Sequence, residues 1–265
     1  KKKTVHTYEG GEVEKILVKQ GDYVKANQPL VFLNDTRAKV GFDNALSSYR
    51  LYLATENRLS AERDNIDEIK FSDFLMQDHN VDEVAKLLKT QENILKSKRE
   101  LFHSTLNSYQ NKIEQYEKRI QAMLAKKASL DKSYAVAHER LVSAQSLLKQ
   151  GFTNKAQVQE MEAREVEIKS LISSNDVDLI NAQQEISNVN LQIISFKSEY
   201  LHKILAELKE EETKVFQSFN QYLAAKDLLE KTVIRSPVDG IVNDLKVYFD
   251  KALVGNGAEI AEITP

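Results

Sequence analysis

Five histidines, His6, His79, His103, His138 and His202, are the side chains of this sequence best suited to binding a metal or moving a proton near neutral pH. Their spacing serves neither task. A helical metal site needs ligands three or four residues apart, and no two of these histidines are that close, so each reads as a surface or interface residue. There is no cysteine, which removes disulfides, thiolate metal sites and cysteine nucleophiles together. The 40 Asp and Glu are interleaved with 37 Lys and Arg, for a formal net charge of −3. Such mixing describes solvated helix faces better than paired catalytic carboxylates, and it excludes a basic nucleic-acid footprint. The expectation is a protein without cofactor, metal or catalytic site, and not an enzyme. Residues suited to specific recognition instead gather in one turn, Lys149-Gln150-Gly151-Phe152-Thr153-Asn154-Lys155.

That turn is set off by what surrounds it. Gly41 is the last glycine before it and Gly240 the next after it, and no proline occurs between Pro29 and Pro237. Glycine and proline are the strongest local punctuation, so two long uninterrupted segments reverse at Gly151. Glycine fits the left-handed position that closes a helix, and Thr153 or Asn154, with Gln157, can cap the next one.

The flanking segments carry the period of a coiled coil. Phe102, Tyr109, Tyr116, Met123, Leu130, Ala137 and Ala144 recur every seven residues. Leu106, Ile113, Ile120, Tyr134, Leu141 and Leu148 fill the position four later, with Lys127 the exception. After the turn, Val158, Ile172, Leu179, Ile186, Ile193 and Tyr200 form one seam, and Met161, Ile168, Ala182, Val189 and Phe196 a second. Near Tyr200 the phase slips, and Ile204, Leu208, Val215, Phe219, Tyr222 and Leu229 continue in a new one, the mark of a stutter. Helices over about 81–150 and 154–231 joined by a short loop pair as an antiparallel hairpin, with a rod length of roughly 115 Å. A shorter helix over about 35–66, capped by Asn34 or Asp35, carries an apolar stripe through Phe42, Tyr49 and Leu53. Residues 67–80 read as a loop that still buries Phe71, Phe74, Leu75 and Met76, and Asn80-Val81-Asp82-Glu83 resembles a capping box. No apolar run is long enough to span a bilayer, and Lys1–Lys3 read as a solvated tail.

Both ends are written in strand grammar. Short apolar runs lie between the turns Gln20-Gly21-Asp22 and Asn27-Gln28-Pro29, and again around Ser236-Pro237-Val238-Asp239-Gly240 and Gly255-Asn256-Gly257. Neither end is long enough to bury a core alone, but the hairpin brings them together to complete one small sandwich. The fold class is α+β: residues 1–34 and 232–265 form the two halves of a β-domain, and 35–231 are a helical insert.

The segments Gly11-Glu12-Val13 through Gly21-Asp22 to Pro29-Leu30-Val31-Phe32-Leu33, and Ile234-Arg235-Ser236-Pro237-Val238-Asp239-Gly240 running on to Gly257, resemble the two halves of the split lipoyl-like domain of haemolysin-D-like membrane fusion proteins. The resemblance gives Gly21, Asp22, Pro29, Pro237, Gly240 and Gly257 structural roles in that domain. It implies a periplasmic adaptor of a Gram-negative bacterium, anchored to the inner membrane in the full protein, of which this chain is an excised middle portion. The partners it implies are an inner-membrane ABC exporter, a TolC-like outer-membrane channel, further copies of itself in a hexamer, and a secreted polypeptide. The hairpin tip would meet the channel through Leu147, Leu148, Gly151, Phe152, Thr153, Asn154 and Lys155. Family tips carry a spaced Arg, Leu and Ser/Thr signature; Leu147 and Thr153 or Asn154 fit it, but Ser143 stands where the arginine is expected and Arg140 lies one turn earlier. Lys251 stands where the family has glycine, which implies a local change in that turn. A carrier role does not follow, because Arg37 occupies the stretch where a modifiable lysine would sit.

The rod length favours type I secretion, whose exporters add little periplasmic height. The alternatives are an adaptor for drug efflux and a generic coiled-coil spacer.

Overall fold

The computed structural model describes all residues, Lys1–Pro265. In chain order the elements are β1 (Lys3–His6), β2 (Gly11–Ile16), β3 (Tyr23–Val24), β4 (Pro29–Leu33), α1 (Thr36–Arg63), α2 (Asp73–Met76), α3 (Asp82–Lys149), α4 (Lys155–Glu230), β5 (Val233–Arg235), β6 (Gly240–Leu245), β7 (Leu253–Val254) and β8 (Glu259–Thr264). They form an α+β chain in which a long antiparallel helical hairpin and a shorter helix interrupt a split lipoyl-like β-sandwich. Two compact units result: residues 1–95 with 204–265, and residues 96–203.

In the first unit the sandwich is made of two four-stranded sheets, ordered β1-β8-β6-β3 and β5-β4-β2-β7. The antiparallel pairs β1–β8, β3–β6, β2–β7 and β4–β5 each join a strand from one end of the chain to a strand from the other. Neither end could satisfy its backbone or bury its apolar face alone. Val13, Val24, Leu30 and Val31 from the first half meet Val242, Ile260 and Ile263 from the second in one fully buried core.

The helices of this unit settle the path of residues 64–81. The sequence pattern gives a loop there; the structure winds Asp73–Met76 into α2 and buries Leu75 completely. Leu75 packs with Leu53 and Ala54 of α1 and Val84 and Leu88 of α3, and Phe71 and Val215 close around them. The Asn57 carboxamide oxygen accepts from the Ser72 amide at 2.8 Å, and Arg50 reaches Asp78 at 2.8 Å. The side chains of one helix thus hold the turn that a period-based reading cannot see. Tyr49 stacks on Tyr222 and meets Phe74 edge-on, with ring centroids 5.8 and 4.8 Å apart.

The two candidates at the start of α1 share the work: Asp35 is the N-cap residue but makes no side-chain cap bond, and the Asn34 side-chain oxygen accepts from the Thr36 amide at 3.0 Å. The capping box at Asn80 is out of register, because α3 begins at Asp82, and the Glu83 carboxylate accepts from Ser47 of α1 at 2.7 Å. The phase slip in α4 has a plain cause. In this unit α4 meets α1 through Phe219 and Tyr222 while Val215 also packs into the cluster shared with α3, so its apolar positions serve two neighbours.

In the second unit α3 and α4 pair antiparallel along their heptad seams. Buried Ala137, Leu141 and Ala144 of α3 and Val158, Ile168, Ala182, Val189 and Ile193 of α4 mark the interface. Its polar breaks are each partnered. Lys127 Nζ lies 2.9 Å from Asp176 Oδ1, and Asn175 Nδ2 donates to the Met123 carbonyl at 3.0 Å. Glu165 faces His138 Nδ1 at 3.1 Å and accepts from the Tyr134 hydroxyl at 3.4 Å.

Candidate docking tip

The reversal between α3 and α4 is built by backbone chemistry. Gly151 adopts φ +81°, a conformation costly for residues with a Cβ. Its amide donates to the Leu148 carbonyl at 3.1 Å, and the Phe152 amide donates to the Leu147 carbonyl at 3.0 Å. These two bonds are the Schellman closure, which satisfies carbonyls that the end of α3 would leave free. Asn154 then caps α4: its side-chain oxygen accepts from the Gln157 amide at 3.0 Å. Thr153 Oγ1 donates to Gln157 Oε1 at 2.5 Å and fixes the approach to the cap.

This framework divides the expected site residues into two sets. Leu148 turns into the seam, where it packs on the cluster of Leu141, Ala144 and Val158. Leu147 is 44 % exposed and Phe152 77 % exposed. A Schellman turn commonly brings these two positions into apolar contact, but that contact leaves most of the phenyl ring in water. Leu147 and Phe152 therefore present apolar surface beyond what the reversal needs, bracketed by exposed Lys149, Asn154 and Lys155.

Arg140 does not join the turn. It lies in a groove of about 860 Å³ between the two helices, with Val136 and Ala137 of α3 and Met161, Arg164 and Ile168 of α4. The groove is lined by long polar side chains of both helices, Lys132, Gln157, Glu160 and Glu167 among them. No three His, Asp or Glu side chains are placed to hold a metal ion.

The residues marked in the sandwich sit at turns and close approaches. Gly21 and Gly257 have φ of +95° and +65°. Asp22 Oδ2 accepts from the Lys19 amide at 2.8 Å, and Pro29 opens β4. Pro237 follows Ser236, whose hydroxyl donates to the Val238 carbonyl at 2.7 Å. Gly240 is required by space: a Cβ there would lie 2.2 Å from the Thr264 carbonyl oxygen. Lys251 adopts φ +66°, which is the local reason a glycine would suit that turn.

A helical hairpin closed by such a tip and set between the halves of a lipoyl-like sandwich defines the class: this is a membrane fusion protein of the haemolysin-D-like kind. Residues 38–228 match the family model described as AprE, long α-helical hairpin, and the chain belongs to that family. It is 24% identical over 264 residues to the alkaline protease secretion protein AprE of Pseudomonas aeruginosa, a match covering 100% of this chain and 61% of that protein. It is 22% identical over 263 residues to the type I secretion system membrane fusion protein PrsE of Rhizobium meliloti, covering 99% of this chain and 60% of the other. The chain thus spans about 60% of the length of these curated relatives. The crystal structure of the soluble domain of LipC, a membrane fusion protein of a type I secretion system, shares the fold with a TM-score of 0.92 at 24% identity, each chain covered over 100% of its length. No helix is long and apolar enough to cross a membrane.

Proposed function

We propose that this chain is the hairpin and lipoyl-like portion of a periplasmic adaptor that links an inner-membrane ABC exporter to a TolC-like outer-membrane channel for type I protein secretion. In this reading residues 1–34 and 232–265 form the lipoyl-like domain and residues 35–231 provide the reach. The full protein is anchored in the inner membrane of a Gram-negative bacterium. It works as a homo-oligomer, a hexamer, around an unfolded polypeptide, and it is not an enzyme. The observation that carries the reading is the pair Leu147 and Phe152, left exposed on a hairpin reversal that Gly151 and Asn154 already complete. The relatives' names support secretion as the setting.

The test is Leu147→Asp and Phe152→Asp in the full-length adaptor. Secretion should fall at least tenfold, with helicity by circular dichroism unchanged. Full secretion by both variants would overturn the tip assignment. An ABC exporter and a large secreted substrate encoded beside this chain would support type I secretion, and their replacement by a drug transporter would overturn it.

A further inference from the structure

Helix α1 carries the only glycine found inside a helix of this chain, Gly41. Glycine is among the poorest helix formers, so its place there needs a reason. Neither usual reason holds. Gly41 is not among the residues with positive φ, and a Cβ built on it would meet nothing within 4 Å. Instead it leaves open one wall of a cavity of about 660 Å³. That cavity lies wholly within the first unit, between the helices and the sandwich. The β1–β2 turn, the start of α1, the end of α4 and the β7–β8 turn bound it, so four segments distant in sequence meet around it. Its volume is within the range of small-molecule sites, about 300–1,000 Å³.

The lining sets what could fill it. Leu33, Ala38, Ala225 and Leu228 supply apolar surface, and the charges are Arg37, Lys231 and Glu9. Lys231 is already engaged: its Nζ lies 2.6 Å from Asp227 Oδ2 and 3.7 Å from the centre of the Tyr8 ring. Arg37 and Glu9 are not. Neither makes an ion pair, and although they line one cavity they do not pair with each other. Asn34 and Asn256 add donors. The Asn34 oxygen accepts from the Thr36 amide at 3.0 Å, and the Asn256 oxygen from the Gly10 amide at 2.7 Å. Each therefore keeps its NH2 group, with two donors, uncommitted. The cavity thus offers a free guanidinium beside amide donors, a free carboxylate, and an apolar floor.

We propose that this cavity binds a small zwitterion with an apolar side chain, the chemistry of a free amino acid. Its carboxylate meets Arg37 and the carboxamide NH2 groups, its ammonium meets Glu9, and its side chain rests on Leu33 and Leu228. A guanidinium takes a carboxylate through two parallel N–H bonds. A simple anion would leave Glu9 unanswered and a simple cation would leave Arg37 so, and unanswered charges are what such a site discriminates by. One end of a polypeptide carries only one of the two charges, so a polypeptide is not the occupant. The site lies away from the tip, and the proposal does not depend on the adaptor reading.

Isothermal titration calorimetry of the chain tests this with three probes of similar size: leucine, isocaproate, which lacks the ammonium, and isopentylamine, which lacks the carboxylate. Leucine should bind at one saturable site, and each of the others at least tenfold more weakly. Arg37→Gln and Glu9→Gln should each weaken leucine at least tenfold, and Glu9→Gln should also erase the preference for leucine over isocaproate. Lys39→Gln, on α1 but outside the cavity, should bind like the parent. Gly41→Leu separates a filled cavity from a damaged fold. It should abolish binding while raising the thermal midpoint, because leucine is a far better helix former than glycine. No saturable leucine binding, equal binding of either analogue by the parent, or undiminished binding by Gly41→Leu overturns the proposal.

Discussion

Lys127 Nζ of α3 lies 2.9 Å from Oδ1 of Asp176 of α4, directly beside Asn175, whose amide donates to the Met123 carbonyl at 3.0 Å. The one lysine on the α3 seam and the asparagine on the α4 seam therefore share a level. Contact with Asp176 holds the Lys127 ammonium above its ordinary range, through the hydrogen bond first and the charge second. A single polar residue at a seam position sets register at a cost in stability.

Replacing Lys127 and Asn175 together by leucine should raise the thermal stability of the chain by about 1–3 kcal/mol, the yield of burying side chains of this size. It should also relax the register. Spin labels at Lys112 and Glu185, which line one groove, should give a narrow distance distribution in the parent and a broader one in the double variant. A more stable variant whose distribution stays narrow would show that register is set elsewhere.

At the tip, Gly151→Ala forces a Cβ into φ +81° and should cost about 1–2 kcal/mol. Asn154→Ala removes the cap on the Gln157 amide and should cost about 1 kcal/mol. Thermal unfolding measures both. If the positive φ and the cap are what close the turn, both variants lose stability, while Ser143→Ala, away from these bonds, does not.

The sandwich offers a pair of opposite sign. Lys251→Gly relieves the left-handed conformation at φ +66° and should stabilise by up to about 1 kcal/mol. Gly240→Ala places a Cβ 2.2 Å from the Thr264 carbonyl oxygen and should destabilise by about 1–3 kcal/mol, as overpacking does. Chemical denaturation of the two variants beside the parent checks both signs.

Most of this architecture was legible because its signals are periodic. Heptads mark the hairpin, a lone glycine marks its reversal, and paired strand grammar marks the split sandwich. What was not legible depends on contacts between distant segments. Helix α2 has no period to detect, and Asn57, Arg50 and the Leu75 pocket define it. Glu83 follows a capping-box spelling, yet bonds to Ser47, which lies 36 residues away. At the tip, sequence spacing picked out Leu147 and Leu148 equally. Only the direction of each side chain separates the seam residue from the exposed one.

The carboxylates between α1 and α4 predict a pH response. Burial raises the Glu56 carboxyl above its ordinary value of 4.5, and the neighbouring charges of Glu212 and Glu211 add to the rise. Burial also raises Glu211, but Lys214 and Arg58 oppose it. A carboxyl whose folded value is raised favours the fold most when protonated. Its contribution is therefore complete below the unfolded value and is lost as pH rises through the folded one. At pH 7 Glu56 is held charged against that preference, and Glu56→Gln should stabilise the chain, by no more than about 1 kcal/mol given its partial exposure to water. The gain should shrink as the pH falls through the raised folded value, which lies above 4.5, and vanish below 4.5, where the carboxyl is neutral in both folded and unfolded chains. Glu211→Gln should gain less at pH 7, because it deprives Lys214 and Arg58 of a partner. Melting temperatures of the two variants and the parent from pH 4 to pH 8 test this. A Glu56→Gln gain that is the same across the range would show that packing, and not the charge, is responsible.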